Sequence, residues 1–247
     1  VGEVWDERAG SRPIAVLDMD GTLYDGCIGV AFIAHLVRVG LAAREAVEAA
    51  RRAFDAYERG SLSTAEAADL VYDHYALALT GHRVEDVRYA AEECWTVVCE
   101  HLFPFSRNVV DRLAERGVLT VLLSGSPDEI VQVAARELGI DQARGALSEV
   151  ISGRYTGKVL TRPGEPGGKS SLLDEIRPER SRVFFAMGNS VRDEVVMRAE
   201  ITIAFEPDAG LAALARARGW AVADRATIEA TLAELVPGYS ETARTPG

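Results

Sequence analysis

The chain has 247 residues, with 27 Lys and Arg against 38 Asp and Glu, for a formal charge of −11. That acidic balance argues against a partner held through nucleic-acid phosphates, which are gripped mainly by Lys and Arg. At 48% hydrophobic and 26% charged, the sequence suits a globular protein with one large core, or a core domain plus a smaller one.

The first residues, Val1 to Arg8, carry acids where a signal peptide would need a basic flank and an apolar core. No run of about 18 apolar residues supports a membrane span. Cys27, Cys94 and Cys99 are odd in number and lack C-x-x-C spacing, which predicts neither a disulfide framework nor a zinc site. A soluble protein of the reducing cytoplasm, monomer or homodimer, is the expectation.

Pro13 to Met19 is an apolar run ending in acids and predicts a strand buried on both faces, with Asp18 and Asp20 at its carboxyl end. Val118–Leu123, Arg182–Met187 and Ile201–Phe205 have the same character, each followed by a turn and a helical pattern. Strands alternating with helices predict an α/β fold, a Rossmann-like doubly wound parallel sheet with ligands outside the carboxyl ends of its strands.

The stretch from Ile28 to Leu102 breaks that alternation. Ile28, Phe32, Ile33, Leu36 and Val37 recur at helical spacing, as do Val47, Ala50, Phe54 and Tyr57. Ser63 to Glu66 has the form of a capping box, and Gly81 suits a helix stop. Val84, Val87, Ala91, Cys94, Trp95, Val98 and Leu102 trace one face of a long helix that Pro104 closes. The pattern predicts an all-helical cap over 26–103 inserted into a core formed by 1–25 and 104–247. Beyond it, period-two alternation from Ala146 to Val159 around Ser152-Gly153 predicts a hairpin, and the small polar tail from Gly238 is expected to fray.

Four signals at the strand ends carry chemistry. Asp18-Met19-Asp20-Gly21-Thr22-Leu23 puts two carboxylates one residue apart, a pair able to bind a hard cation, attack an electrophile and donate a proton. Ser124-Gly125 closes the second strand with a hydroxyl and an amide suited to an anion, while Ser126 with Pro127 and Glu129 reads as a helix start. Lys169 follows Gly164-Glu-Pro-Gly-Gly168 as a fixed positive charge; a P-loop is rejected because position 163 is Pro where Gly is required. Gly188-Asn189-Ser190 is a turn after a strand, and Asp193 suits the first turn of a helix.

In this order and at these positions, the four signals resemble the haloacid dehalogenase superfamily, and within it the phosphoserine-phosphatase-like branch, over residues 13–235. The resemblance implies a Mg²⁺-dependent phosphatase of a small phosphorylated metabolite, working through an aspartyl-phosphate. Asp18 matches the family nucleophile and a metal ligand. Asp20 matches the general acid/base, with its backbone carbonyl toward the metal. Ser124, Gly125 and Lys169 match the phosphate-binding positions. Asn189 matches the third metal position, and Asp193 the acid behind it. An acid at position 20 also argues against dehalogenation, since relatives with that chemistry lack one there.

Two departures bear on function. The family usually has Asp where this chain has Asn189, which predicts weaker metal binding. Phosphoserine phosphatases carry an acid nine residues beyond the nucleophile for the substrate ammonium; here that position is Cys27, with Asp25 nearby as a stand-in. L-Phosphoserine is therefore expected to be a poor substrate. The rival readings are a phosphotransferase to an alcohol acceptor and a catalytically weakened protein that binds a phospholigand. His35, His74, His82 and His101 lack ligand spacing, Trp5 and Tyr24 read as packing residues, and Arg51, Arg52 and Arg59 as a solvated helix face.

Overall fold

The computed structural model describes residues 12–59, 61–62, 64–178 and 181–240. Seven strands form one sheet: β1 (Ile14–Leu17), β2 (Leu119–Pro127), β3 (Gln142–Ile151), β4 (Arg154–Thr161), β5 (Val183–Gly188), β6 (Ile201–Phe205) and β7 (Ala221–Ala223). Their order is β4-β3-β2-β1-β5-β6-β7. Every neighbouring pair is parallel except β3 with β4. Strand β1 pairs β2 on one side and β5 on the other, so the strand order reverses at its carboxyl end, where doubly wound sheets open a crevice for ligands.

Both faces of β1 are covered, which is why it reads as a continuous apolar run. Ala15 and Leu17 join the larger hydrophobic cluster, with Phe185, Phe205 and Val109. Ile14 and Val16 join the opposite cluster, with Leu172, Leu173 and Ile176. The helices α5 (Ser106–Glu115), α6 (Asp128–Leu138), α7 (Gly168–Ile176), α8 (Ala209–Arg218) and α9 (Ile228–Leu235) flank the sheet. Strand β7 is too short for its apolar alternation to stand out in the sequence.

Between β1 and α5 the chain runs through α1 (Ile28–Arg38), α2 (Arg44–Glu58), α3 (Thr64–Ala78) and α4 (Val84–Val98). The predicted face of α4 is buried at Val87, Ala91, Cys94, Trp95 and Val98 and shares the larger cluster with Phe32 and Leu36 of α1. The long helix expected to reach Leu102 ends at Val98, and a 3-10 turn covers Cys99–His101. The cause is competition from the chain near β1: Asp25 N–H donates to the His101 carbonyl at 2.8 Å, and Phe103 N–H to that of Leu23 at 3.0 Å. Ser63 and the side chains of Phe54 and Tyr57 lie outside the described residues, as does Trp5.

The hairpin is longer than its sequence signal. The first half of β3 pairs parallel with β2 through Ala146, and its far half turns back on β4. Ser152 and Gly153 both take positive φ, 53° and 75°, the primed turn that matches strand twist. The hairpin also docks on the α3–α4 loop, where Gly81 N–H donates to the Tyr155 carbonyl at 2.8 Å and Val84 N–H to that of Gly153 at 3.0 Å. Tyr239 in the tail is buried, and its hydroxyl donates to Glu229 at 2.6 Å. The chain is thus anchored past Gly238, and residues 241–247 lie outside the described ones.

Where α3, β4 and α6 meet, buried Glu129 accepts the hydroxyls of Tyr75 at 2.8 Å and Tyr155 at 2.7 Å. Burial raises its pKa; the two tyrosine donors oppose that shift, and the Asp128 charge adds to it. The folded state therefore holds this proton more tightly than the unfolded chain does. The stability contribution is complete below the unfolded value of about 4.3 and declines as pH rises toward the higher folded pKa. Glu129→Gln is expected to remove that decline. In thermal melts across pH, the variant's Tm should gain on the parent's as pH rises from about 4.3, whatever constant offset the amide introduces.

Candidate active site

The turn after β1 accounts for each letter of its motif. The amides of Thr22, Leu23 and Tyr24 all donate to the Met19 carbonyl, at 3.2, 2.9 and 3.0 Å. Gly21 has φ +74°, and a Cβ there would lie 2.1 Å from the Asn189 amide nitrogen, so only glycine fits. Leu23 is fully buried beneath the turn. The Thr22 hydroxyl donates to Asp18 Oδ2 at 2.9 Å, a role not read from the sequence.

Asp18 is 7% exposed, and Lys169 Nζ donates to its Oδ1 at 2.5 Å. The same Nζ donates to Asp193 Oδ1 at 2.6 Å. Asp193 Oδ2 in turn accepts the amides of Asn189 at 3.2 Å and Ser190 at 3.0 Å. Asp193 thus sets the loop that carries Asn189 and holds the lysine against Asp18. Lys169 stands on the first turn of α7, entered through Gly167 at φ +80°. The strand before it, β4, is an antiparallel edge rather than the buried parallel strand a P-loop requires.

Asp20 is held on three sides. Its Oδ1 accepts the Ile28 amide at 2.7 Å, the first free N–H of α1, whose preceding Cys27 supplies no side-chain cap. Its Oδ2 accepts the hydroxyls of Ser126 at 2.7 Å and Ser124 at 3.0 Å. Ser124 is fully buried beneath Asp20 and also accepts the Ser126 amide at 3.0 Å. Gly125, Ser126 and Pro127 are the residues of this segment that line the cavity. Ser126 does not cap α6 as its sequence context suggested; its hydroxyl instead joins Asp20 to the Gly29 amide, 2.9 Å away. A Cβ at Gly29 would sit 2.7 Å from that hydroxyl, so glycine lets α1 approach the sheet.

Electrostatics follow from enclosure. Burial pushes the Asp18 carboxyl up to about 7 against the pull of Lys169, with Asp193 and Asp20 adding repulsion. Burial also raises Asp20, although Ser126, the Ile28 amide and Ser124 favour its charged form. Burial alone would lower Lys169, but Asp18 and Asp193 outweigh it and the net shift is upward. Burial, with the Asp20 charge, pushes the Cys27 thiol up to about 12, so it is neutral.

Asp18 and Asp193 share one lysine, and Asp20 beside them has only neutral hydrogen-bond donors; this excess of negative charge in an enclosed centre suits a divalent cation with oxygen ligands. Asn189 lines the cavity, and its side-chain amide has no hydrogen bond among the described residues. Among those residues no group of three or more His, Cys, Asp or Glu could hold a metal ion unaided. The donors present, the Asp18 and Asp20 oxygens and the Asn189 amide oxygen, fit Mg²⁺, which commonly uses one or two carboxylates and completes its shell with water and substrate phosphate.

Asp25, the alternative to Cys27 for a substrate ammonium, faces elsewhere: Arg225 grips it through two bonds of 2.7 and 2.8 Å at the surface. Tyr24 is buried and packs edge-on to His101, away from the cavity. Arg51, Arg52 and Arg59 are exposed.

Comparison with known proteins agrees with this architecture. A Bordetella pertussis Tohama I protein of unknown function superposes with a TM-score of 0.71 at 26% identity, covering 87% of this chain and 99% of the other. A substrate-bound phosphoserine phosphatase gives a TM-score of 0.58 at 17% identity, covering 87% and 93%, a likeness of fold. Phosphoserine phosphatase SerB1 of Mycobacterium tuberculosis is 25% identical over 153 residues, 59% of this chain and 49% of that protein. The chain spans about half the length of the curated relatives it matches. Residues 15–198 match the haloacid dehalogenase-like hydrolase model, a stretch that takes in the acidic turn, Ser124, Lys169 and Asn189, and the chain belongs to that family.

Proposed function

We propose that this protein hydrolyses a small phosphomonoester through a covalent aspartyl-phosphate on Asp18. The observation that carries the proposal is the convergence of Asp18, Asp20, Lys169 and Asn189 on one cavity at the strand-order reversal. A carboxylate oxygen of Asp18 attacks phosphorus, and the bond to the leaving oxygen breaks. Asp20, whose carboxyl burial shifts toward its protonated form, donates a proton to the departing alkoxide. Water then attacks phosphorus and gives its proton back to Asp20; the bond to Asp18 breaks and inorganic phosphate leaves. Lys169 and the Gly125 amide balance charge on the phosphoryl oxygens, the largest demand phosphoryl transfer makes of a protein. Mg²⁺, held by Asp18 and Asn189 with the Asp20 carbonyl, would supply further positive charge at those oxygens. The helices of 26–103 act as a cap over this centre and select the leaving group.

The test is phosphate release from a panel of phosphorylated metabolites with Mg²⁺, taking Asp18→Asn as the blank. Parent activity no higher than the blank would end the proposal, and a new phosphoester on adding alcohols would redirect it to phosphotransfer. Asn189→Asp adds a charge without changing side-chain shape. It is expected to lower the Mg²⁺ concentration for half-maximal activity by about tenfold, the worth of one added charge-assisted contact of roughly 1.4 kcal/mol. An unchanged metal titration would remove Asn189 from the metal site.

A further inference from the structure

The cavity over Asp18 encloses about 280 Å³, and its walls differ sharply in chemistry. All charged groups at its floor are engaged: Lys169 with Asp18 and Asp193, and Asp20 with two serines and the Ile28 amide. The remaining wall is predominantly apolar. Helix α1 contributes Val30 and Ile33, α3 contributes Val71, Tyr72 and Tyr75, and Pro127 closes the side toward α6. The Tyr75 hydroxyl is spent on Glu129 and that of Tyr72 accepts the Gly164 amide at 2.9 Å, so neither offers a free charge.

Resting on the phosphatase reading above, we propose that the alcohol half of the substrate is uncharged and apolar, an alkyl or aryl phosphomonoester. A leaving group with an ammonium would find neutral Cys27 at the α1 entrance, while the nearest acid in sequence, Asp25, is bound to Arg225 outside the cavity. Desolvating an ammonium without a partner is costly, and that cost falls on catalysis. A carboxylate would find a single cation, Arg192, half-buried at one side of the cavity, against the six apolar and aromatic residues that line the rest of the wall. A hydrocarbon needs no partner; each buried methylene favours binding by about 0.8 kcal/mol, or about fourfold.

The experiment compares kcat/KM for n-alkyl phosphates from methyl to hexyl, phenyl phosphate, L-phosphoserine and a hexose phosphate, all with Mg²⁺. In parallel, calorimetry on the same protein follows binding of methyl to hexyl phosphonates, which cannot be hydrolysed. The expected result is a rise of about fourfold per methylene in both series, with a negative heat-capacity change on phosphonate binding and with phosphoserine below butyl phosphate. A flat series, or fastest turnover of phosphoserine or the sugar phosphate, overturns the inference and leaves the phosphatase reading standing. Phosphonate affinity that climbs with chain length in a protein releasing no phosphate overturns the phosphatase reading alone. Val30→Asp, at a position 37% exposed and so tolerant of charge, should flatten the chain-length dependence. An unchanged slope in that variant would also overturn the assignment of this wall.

Discussion

Replacing Asp18 with Asn is expected to lower phosphate release by about 10⁴-fold or more, the scale on which loss of a covalent nucleophile acts. The amide keeps the shape of the carboxylate and can still accept the Thr22 hydroxyl, so the turn after β1 survives. What it loses is the nucleophilic oxygen, and with it the acid-stable, hydroxylamine-sensitive phosphoenzyme that rapid quenching should trap in the parent. Folding should not suffer, because the variant removes one of the two acids bonded to Lys169 in a centre where Asp20 adds further repulsion; its Tm is expected to equal or exceed the parent's. A phosphoenzyme trapped in the Asn variant would assign the covalent step to another residue.

Lys169→Met carries the largest expected cost to stability. The lysine is 6% exposed and bridges Asp18 and Asp193, 7% and 2% exposed. Methionine fills similar volume but leaves two carboxylates facing each other with no cation between them. Removing one partner of a buried ionic cluster typically costs about 3–5 kcal/mol, which urea unfolding without added metal would register. Activity should vanish as well, because the phosphoryl oxygens lose their fixed positive charge. Two measurements separate the effects. Adding Asp193→Asn to Lys169→Met should recover most of the stability by removing one stranded carboxylate, and Mg²⁺ should recover part of it in the single variant. Neither should restore turnover. Recovery of activity with stability would mean that Lys169 is structural only.

The departure at Cys27 gains meaning from the structure. The sequence leaves Asp25 as a substitute for the missing acid, two residues away. In three dimensions those two residues turn Asp25 onto the surface and into the grasp of Arg225, while Cys27 remains at the cavity wall. Proximity along a chain says little about direction once a tight turn intervenes.

Much of the architecture was legible because its periodicities are strong. Strand β1 is apolar at every position since both sheet faces are covered, and α1 and α4 show 3.6-residue spacing because one face of each packs into the larger cluster. Strand β7 and the end of α4 were not legible. The first has three residues, and the second is decided by hydrogen bonds to residues 23–25, far away in sequence. The serines divide in the same way. Ser124 was legible as a polar residue after an apolar run, although the strand it was expected to end continues to Pro127; that its hydroxyl turns to Asp20 depends on the register of β2 against β1. Ser126 looked like a helix cap because local pattern favours that use; the approach of α1 at Gly29 gave its hydroxyl a better partner.

By itself, then, the order of residues determined the fold class, the acidic turn and the kinds of group that meet at the cavity, since these depend on local periodicity and on side-chain chemistry. Only the tertiary structure decided which acid pairs with the lysine, which serine faces the cavity and how apolar the wall above it is. Those outcomes depend on the meeting of β1, α1, α3 and α7, elements up to about 150 residues apart, and no local pattern encodes the angle at which distant surfaces pack.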